Sequence, residues 1–250
     1  MSPSARARLR ALALLGLVAC SRPSVSTAQA DETRTTAPGA CTPTPAPGTY
    51  CGRAIAPVMG SAGADWLERP DRAKTEQPDR VIAALALAPG SVVADIGAGT
   101  GYFSLRLARA VGPAGRVIAT DLQPEMLAML RRNAADAGAS NVELVQSTES
   151  DAMLAPASLD LALMVDVYHE LSRPAETMAQ VRRALKPGGR LVLVEYRGED
   201  PDVPIKPEHT MTLAQVRLEM DFEGFRVKDV LEFLPQQRVI VCVPRPGDGG

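Results

Sequence analysis

Between Ser91 and Tyr196 five short apolar runs, SVVADI, RVIATD, NVELVQ, LDLALMVD and RLVLVEY, are separated by stretches long enough to cross over a sheet and free of hairpin turns. Strands joined in this way lie parallel, because tight two-residue turns close only antiparallel pairs. The intervening stretches carry helix signals. Phe103, Leu105, Leu107 and Ala108 fall at roughly helical spacing; Pro124 opens a helix where its missing N–H does no harm, and Gly138 closes it; another helix runs from about Pro174 to Leu185 and stops at KPGG. After Tyr196 the alternation breaks. Thr212 with Gln215 three residues later is a capping-box pattern for a helix ending at Gly224, and FRVKDVLEFL and RVIVCVP, joined by PQQ, read as an antiparallel pair. The expected fold is α/β: a doubly wound, mostly parallel sheet with a terminal antiparallel hairpin.

The stretch VVADIGAGTGYFSLRLA places Gly97, Gly99 and Gly101 between the first of these strands and its helix. Glycine costs roughly 0.5–1 kcal/mol in regular structure and is used where backbone turns sharply or approaches a ligand closely. Ligands of open α/β sheets sit beyond the carboxyl ends of the strands, where backbone N–H groups and the next helix N-terminus meet an anionic or polar group. A dinucleotide GxGxxG would need glycine where Tyr102 stands, and no P-loop GK[ST] is present. Asp95 lies two residues ahead of Gly97. Asp121, twenty residues past Gly101, ends the next strand, where a carboxylate accepts both hydroxyls of a ribose.

VADIGAGTG, with Asp121 and the later LKPGGRLVLVE from Leu185 to Glu195, resembles the class I S-adenosylmethionine-dependent methyltransferases from about Pro78 to Pro244. The resemblance implies a Rossmann-like, seven-stranded sheet and S-adenosyl-L-methionine as cofactor. By position, Asp95, Gly97, Gly99 and Gly101 would line its methionine part, Asp121 would hold the ribose and Leu122 would flank adenine. Asp95 has a second reading, as a carboxylate that stabilises the glycine loop. Many relatives carry GDA after the third strand; here Ser147-Thr148-Glu149 stands there, so Thr148 or Glu149 would take the place near adenine.

Methyl transfer is an in-line displacement that depends on holding nucleophile and methyl carbon together, with a base needed only if the acceptor must lose a proton. The fourth strand ends MVDVYHEL, which puts Asp166, Tyr168 and His169 at the carboxyl edge; Asp166 would also border the cofactor. His169 is the candidate base or hydrogen-bond donor, with Asp166 and Tyr168 beside it and Glu195 and His209 in the pocket wall. The blander reading has His169 orienting the next helix and Tyr168 packing in the core. A metal site of His169, His209 and Glu195 is the third reading; no metal ligand is assigned. Segments DVYHEL, EYR and PIKPEHTM resemble a subgroup of predicted methyltransferases that often carry an export signal.

The ends divide the chain further. Arg6, Arg8 and Arg10 precede ALALLGLVA, a run of nine that is too short to span a bilayer, and Leu17-Val18-Ala19-Cys20 resembles a bacterial lipobox. An ordinary secretion signal is the alternative. The expected organisation is a signal peptide over 1–20 ending at Cys20, a Ser/Thr/Pro/Ala-rich linker over 21–55, a helical cap over 56–90 and the methyltransferase domain over 91–250. Cys41 and Cys51 can pair in an oxidising compartment, and Cys242 belongs to an apolar strand. In GADWLERPDRAKTEQP, Trp66 is a candidate lid over the substrate side, against a helix packed on the sheet with a solvated charged face. A net charge of −2 without a basic run, and 4% aromatic residues, give no footprint for nucleic acid. The expected partner is a small molecule, and membrane attachment would come only through lipid at Cys20. The rival functions are a non-catalytic S-adenosylmethionine-binding envelope lipoprotein and a nicotinamide-dependent oxidoreductase, the latter disfavoured by Tyr102 and the terminal hairpin.

Overall fold

The computed structural model describes residues 41–42 and 46–246, so the expected leader, Cys20 and most of the linker lie outside the described residues. The described chain opens with a small hairpin, β1 (Thr49–Tyr50) and β2 (Arg53–Ala54), and three short helices, α1 (Ala64–Leu67), α2 (Arg72–Thr75) and α3 (Pro78–Ala84). There follow β3 (Val92–Ile96), α4 (Ser104–Val111), β4 (Arg116–Asp121), α5 (Pro124–Asp136), β5 (Val142–Gln146), β6 (Leu159–Val165), α6 (Pro174–Ala184), β7 (Leu185–Tyr196), α7 (Leu213–Phe222), β8 (Phe225–Leu231) and β9 (Gln237–Pro244). The large sheet has the order β5-β4-β3-β6-β7-β9-β8. Its first five strands are parallel, and β9 runs antiparallel to both β7 and β8. This is the seven-stranded sheet with a terminal hairpin that the alternation of runs implies.

Side chains alternate along a strand, so each strand feeds two cores. Val93, Val117, Leu161 and Leu163 meet Val81 of α3 and Leu107 and Val111 of α4. Ala94, Ile96, Met164 and Leu193 meet Met178 and Val181 of α6 and Val216 and Met220 of α7. Strands buried on both faces read as unbroken apolar runs, as these do. Prolines occupy the first turn of α3, α5 and α6, and the Thr212 hydroxyl caps α7 by accepting from Gln215 N at 3.1 Å. From β3 the chain turns to one side for β4 and β5, then crosses to the other for β6 and β7. The carboxyl ends of β3 and β6 therefore border a crevice, the place where such sheets bind ligands. Among the described residues no helix is long and apolar enough to cross a membrane.

Composition assigns residues 21–55 to a linker, yet the hairpin within 46–55 is anchored to the rest of the protein. Tyr50 and Cys51 are buried, a disulfide joins Cys41 to Cys51, and Gln215 Nε2 donates to the Cys51 carbonyl at 2.9 Å. The segment has no core of its own and borrows one from α7. Arg53 donates to Glu219 through Nε at 2.7 Å and Nη2 at 3.1 Å, a two-point pair around a carboxylate with no solvent exposure. Arg53 Nη1 and Ala56 N both donate to the carbonyl of His169 at 3.0 Å, so the hairpin also clamps the turn that carries His169. Cys242 is buried in β9, where burial pushes its thiol up to about 12 and keeps it inert.

Removing one partner of a buried ion pair strands the other. Arg53→Ala is expected to lower the unfolding free energy by about 3 kcal/mol in denaturant titration, because Glu219 keeps only Gln215 as a donor.

Candidate active site

The crevice opens into a cleft of about 580 Å³, within the usual range for small-molecule sites. Its floor at one end is formed by Gly97, Gly99, Asp121, Leu122, Met126, Thr148 and Glu149, and at the other by Asp166, His169, Glu170 and His209; Val58, Met59, Trp66 and Leu67 stand over it.

Gly97, Gly99 and Gly101 have φ of +69°, +55° and +92°, a region that residues with a Cβ adopt at a cost. What a side chain would strike is protein: a Cβ at Gly97 would come within 2.5 Å of Val167, at Gly99 within 2.8 Å of Leu67 and at Gly101 within 2.7 Å of Leu130. The loop's donors are also spent internally. Gly97 N and Ala98 N donate to the Thr120 carbonyl, Gly101 N to the Ala98 carbonyl, and Gly99 N to Asp121 Oδ2 at 2.8 Å. The expectation that these N–H groups face a ligand is therefore corrected: the loop shapes the cleft, and Asp121 supplies its acceptor.

Asp121 is 6% exposed. Its Oδ1 accepts from Gln123 N and its Oδ2 from Gly99 N, each at 2.8 Å, which fixes the carboxylate and uses one site on each oxygen. Burial raises its pKa, and the backbone donors counter that. A carboxylate has roughly four lone-pair sites, so a pair of vicinal hydroxyls can still be taken. With apolar Leu122 and Met126 beside it for a purine, this end suits the nucleoside of S-adenosylmethionine. Thr148 and Glu149 border the same end, and the Thr148 hydroxyl already accepts from Asp151 N at 3.0 Å.

Asp95 and Gly101, expected to line the methionine part, do not line this cleft; Asp95 lines a small pocket beside it that shares Leu67, Arg72, Gly97 and Gly99 with the cleft. Asp95 lies behind the loop, 2% exposed, accepting from Ser104 Oγ at 2.5 Å; the alternation of β3 turns it toward α4. Burial pushes it up to about 6, opposed by the Ser104 hydroxyl and Arg72 and reinforced by Asp121. The loop-stabilising reading of this residue fits its position.

At the other end Asp166 sits at the tip of β6 with φ +54°, its carboxylate accepting from Gln237 Nε2 at 2.7 and 3.0 Å. Burial and the carboxylates of Glu76 and Glu195 push it well above the usual carboxylate range. His169 and Tyr168 share a single 3-10 turn, Tyr168–Glu170, from which His169 and Glu170 face the cleft and Tyr168 faces the core. His169 reaches the cleft. Tyr168 is fully buried in the core with the Arg53 guanidinium 5.6 Å from its ring centre, so it is corrected from catalytic candidate to packing residue. His169 Nδ1 lies 2.6 Å from Glu195 Oε2, while Glu195 Oε1 accepts from Tyr168 N at 3.2 Å. Burial lowers the pKa of His169, but Glu195 outweighs it and the net direction is up. His209 Nδ1 is 3.3 Å from His169 Nε2, and burial with that neighbour lowers the pKa of His209. Glu170, which the reading of MVDVYHEL passed over, puts Oε1 3.3 Å from His209 Nδ1, and burial pushes it up to about 7. Its place beside His169 in the short turn was the available signal.

The segment before β3 borders the cleft on one side and keeps Asp65, Glu68, Asp71 and Lys74 exposed on the other. Trp66 and Leu67 line it, and Gln123 Nε2 donates to the Met59 carbonyl at 2.9 Å. Arg72 and Glu76 are 5% and 2% exposed; Glu76 accepts from Arg69 at 2.6 Å, Arg72 at 2.8 Å and Tyr196 Oη at 3.4 Å. Three donors make burial of that carboxylate tolerable.

Strand order, glycine loop and strand-end carboxylate define a nucleoside-binding α/β protein. A family model described as "Methyltransferase domain" matches residues 93–189. A SAM dependent methyltransferase from Aquifex aeolicus is similar in structure, with TM-score 0.70 and 28% identity, covering 74% of this chain and 98% of that one. An arsenite methyltransferase of Halobacterium salinarum is 28% identical over 155 residues, 58% of this chain and 40% of the relative. A ubiquinone/menaquinone biosynthesis C-methyltransferase of Hahella chejuensis is 31% identical over 108 residues, 43% of each chain. The chain thus spans less than half the length of these curated relatives. Residues 93–189 match a methyltransferase domain, and the fold is that of the class I S-adenosylmethionine-dependent methyltransferases.

Asp95 gives a pH test. Its folded pKa of about 6 lies above the unfolded value of 3.8, so its contribution to stability is present below the unfolded value and lost as pH rises through the folded one. That loss is on the order of 3 kcal/mol. Asp95→Asn cannot ionise, so its stability relative to the parent is expected to rise between about pH 4 and about pH 6 and to level off above that, measured by denaturant melts on both sides of the window.

Proposed function

We propose that the protein moves a methyl group from S-adenosylmethionine to a small molecule held in the cleft. The observation that carries this reading is the pairing, in one cavity, of a buried carboxylate fixed by backbone donors at one end and a cluster of imidazole and carboxylate groups at the other. When bound, the cofactor supplies a sulfonium methyl, whose bond to sulfur breaks, leaving its electron pair there, as the bond to the acceptor forms. Asp121 holds the ribose, Leu122 and Met126 flank the adenine, and Thr148 and Glu149 border its edge. Glu195 fixes His169 with Nε2 toward the acceptor, and Asp166, held by Gln237, shapes the wall between the two ends. Val58, Met59, Trp66 and Leu67 keep water from the reacting groups.

An exported, lipid-anchored location is part of the proposal. Its support is the basic flank, apolar run and Cys20 of the leader, together with the Cys41–Cys51 disulfide, which suits an oxidising compartment. Export would separate the protein from a donor made in the cytoplasm, which keeps a binder without turnover as the second reading.

Two hydroxyl bonds to a charged acceptor are worth roughly 1.5–3 kcal/mol each. Asp121→Ala is therefore expected to weaken S-adenosylmethionine binding at least about 100-fold in calorimetry. Incubating the protein with methyl-labelled donor and a cell-envelope metabolite extract should yield a labelled small molecule. Tight binding of the donor with no labelled product in any extract would leave only the binder.

A further inference from the structure

Three ligand atoms converge at the polar end of the cleft. His169 Nε2 and His209 Nδ1 are 3.3 Å apart, His209 Nδ1 and Glu170 Oε1 3.3 Å, and His169 Nε2 and Glu170 Oε1 4.0 Å. Around a tetrahedral zinc ion with bonds of 2.0–2.1 Å, neighbouring ligand atoms stand about 3.3 Å apart. Two of the three separations match that spacing, and closing the third from 4.0 Å by about 0.6 Å completes one face of a tetrahedral site.

The surroundings favour a ligand set over a chance cluster. Glu195, with no solvent exposure, takes the Nδ1 side of His169 at 2.6 Å and so leaves Nε2 as the metal-facing atom, the usual arrangement behind a metal-bound histidine. The backbone of the same turn is pinned at the His169 carbonyl by Arg53 and Ala56. His169, Glu170 and His209 all line the cleft, so a fourth position would open into it. Two imidazoles, one carboxylate and an open position form the donor set of catalytic zinc and related divalent transition metals. Glu195, considered from sequence as a ligand, is instead the support, and Glu170 is the carboxylate of the set.

We propose that His169 Nε2, His209 Nδ1 and Glu170 Oε1 bind one divalent transition-metal ion of the zinc type, whose open position receives the methyl acceptor. The acceptor is then a small molecule with a thiol or hydroxyl. As its sulfur or oxygen bonds the metal, its S–H or O–H bond breaks and the proton passes to solvent, which leaves a nucleophilic anion in the cleft. The role of the metal, though not its binding, rests on the methyl-transfer reading above.

The test uses the full chain, stripped with chelator and titrated with Zn²⁺ by calorimetry and with Co²⁺ by visible absorption. One equivalent is expected, with the intense absorption of tetrahedral Co²⁺. His209→Ala and Glu170→Gln, at less buried members of the set, should each weaken Zn²⁺ binding at least about 100-fold, and Glu195→Gln should weaken it about 10–100-fold by releasing the His169 ring. Asp121→Ala should leave Zn²⁺ binding unchanged, and His209→Ala should leave S-adenosylmethionine binding unchanged, so the metal site and the nucleoside site fail separately. The proposal is overturned if the parent takes up no Zn²⁺, or if His209→Ala and Glu170→Gln bind it as tightly as the parent does.

Discussion

The carboxylate of Asp121 ties the open edge of the sheet together. Its two oxygens accept from Gly99 N and Gln123 N, and so join the loop after β3 to the start of α5 across the end of β4. With that brace in place, the positive-φ turn at Gly97, Gly99 and Gly101 needs nothing from a ligand to hold its shape, since its donors end on Thr120, Ala98 and Asp121 itself. The site is preorganised: an empty loop of this kind pays its ordering entropy on folding, and a nucleoside that enters later does not have to.

A second brace acts at the other end. His169 is held through its ring by Glu195 and through its carbonyl by Arg53 and Ala56, and Arg53 is held in turn by Glu219 of α7. Stability and site geometry are coupled here, because the ion pair that seats the N-terminal hairpin also pins the turn that carries the imidazole. The roof is tied in similarly. Arg69 and Arg72 converge on Glu76, Leu67 packs where a Cβ at Gly99 would have to go, and Met59 is tethered to Gln123.

How much of this was legible in the sequence follows from the range of each interaction. The strands, the proline-started helices and the Thr212 cap come from local pattern, and they stand where that pattern puts them. Asp121, Leu122, Gly97 and Gly99 were found because a loop and a strand end are fixed once parallel order is known. Asp95 lines a small pocket beside the main cleft rather than the cleft itself, because motif spacing does not say which way a residue on β3 faces. Tyr168 and His169 are neighbours in sequence but part company within one 3-10 turn. Glu170 acquires a role only through His209, Gln237 only through Asp166, and Arg53 only through Glu219, across separations of 39, 71 and 166 residues that no local pattern encodes. The Ser/Thr/Pro-rich composition hid the anchored hairpin for the same reason: what holds Tyr50, Cys51 and Arg53 is a surface supplied elsewhere.

The most direct measurement of the central claim is a crystal structure of the protein grown with S-adenosylhomocysteine, the product that the donor leaves behind. The account predicts both ribose hydroxyls at about 2.5–2.9 Å from the Asp121 carboxylate, with the adenine against Leu122. A nucleoside bound elsewhere, or a cleft that stays empty at saturating ligand, would contradict it.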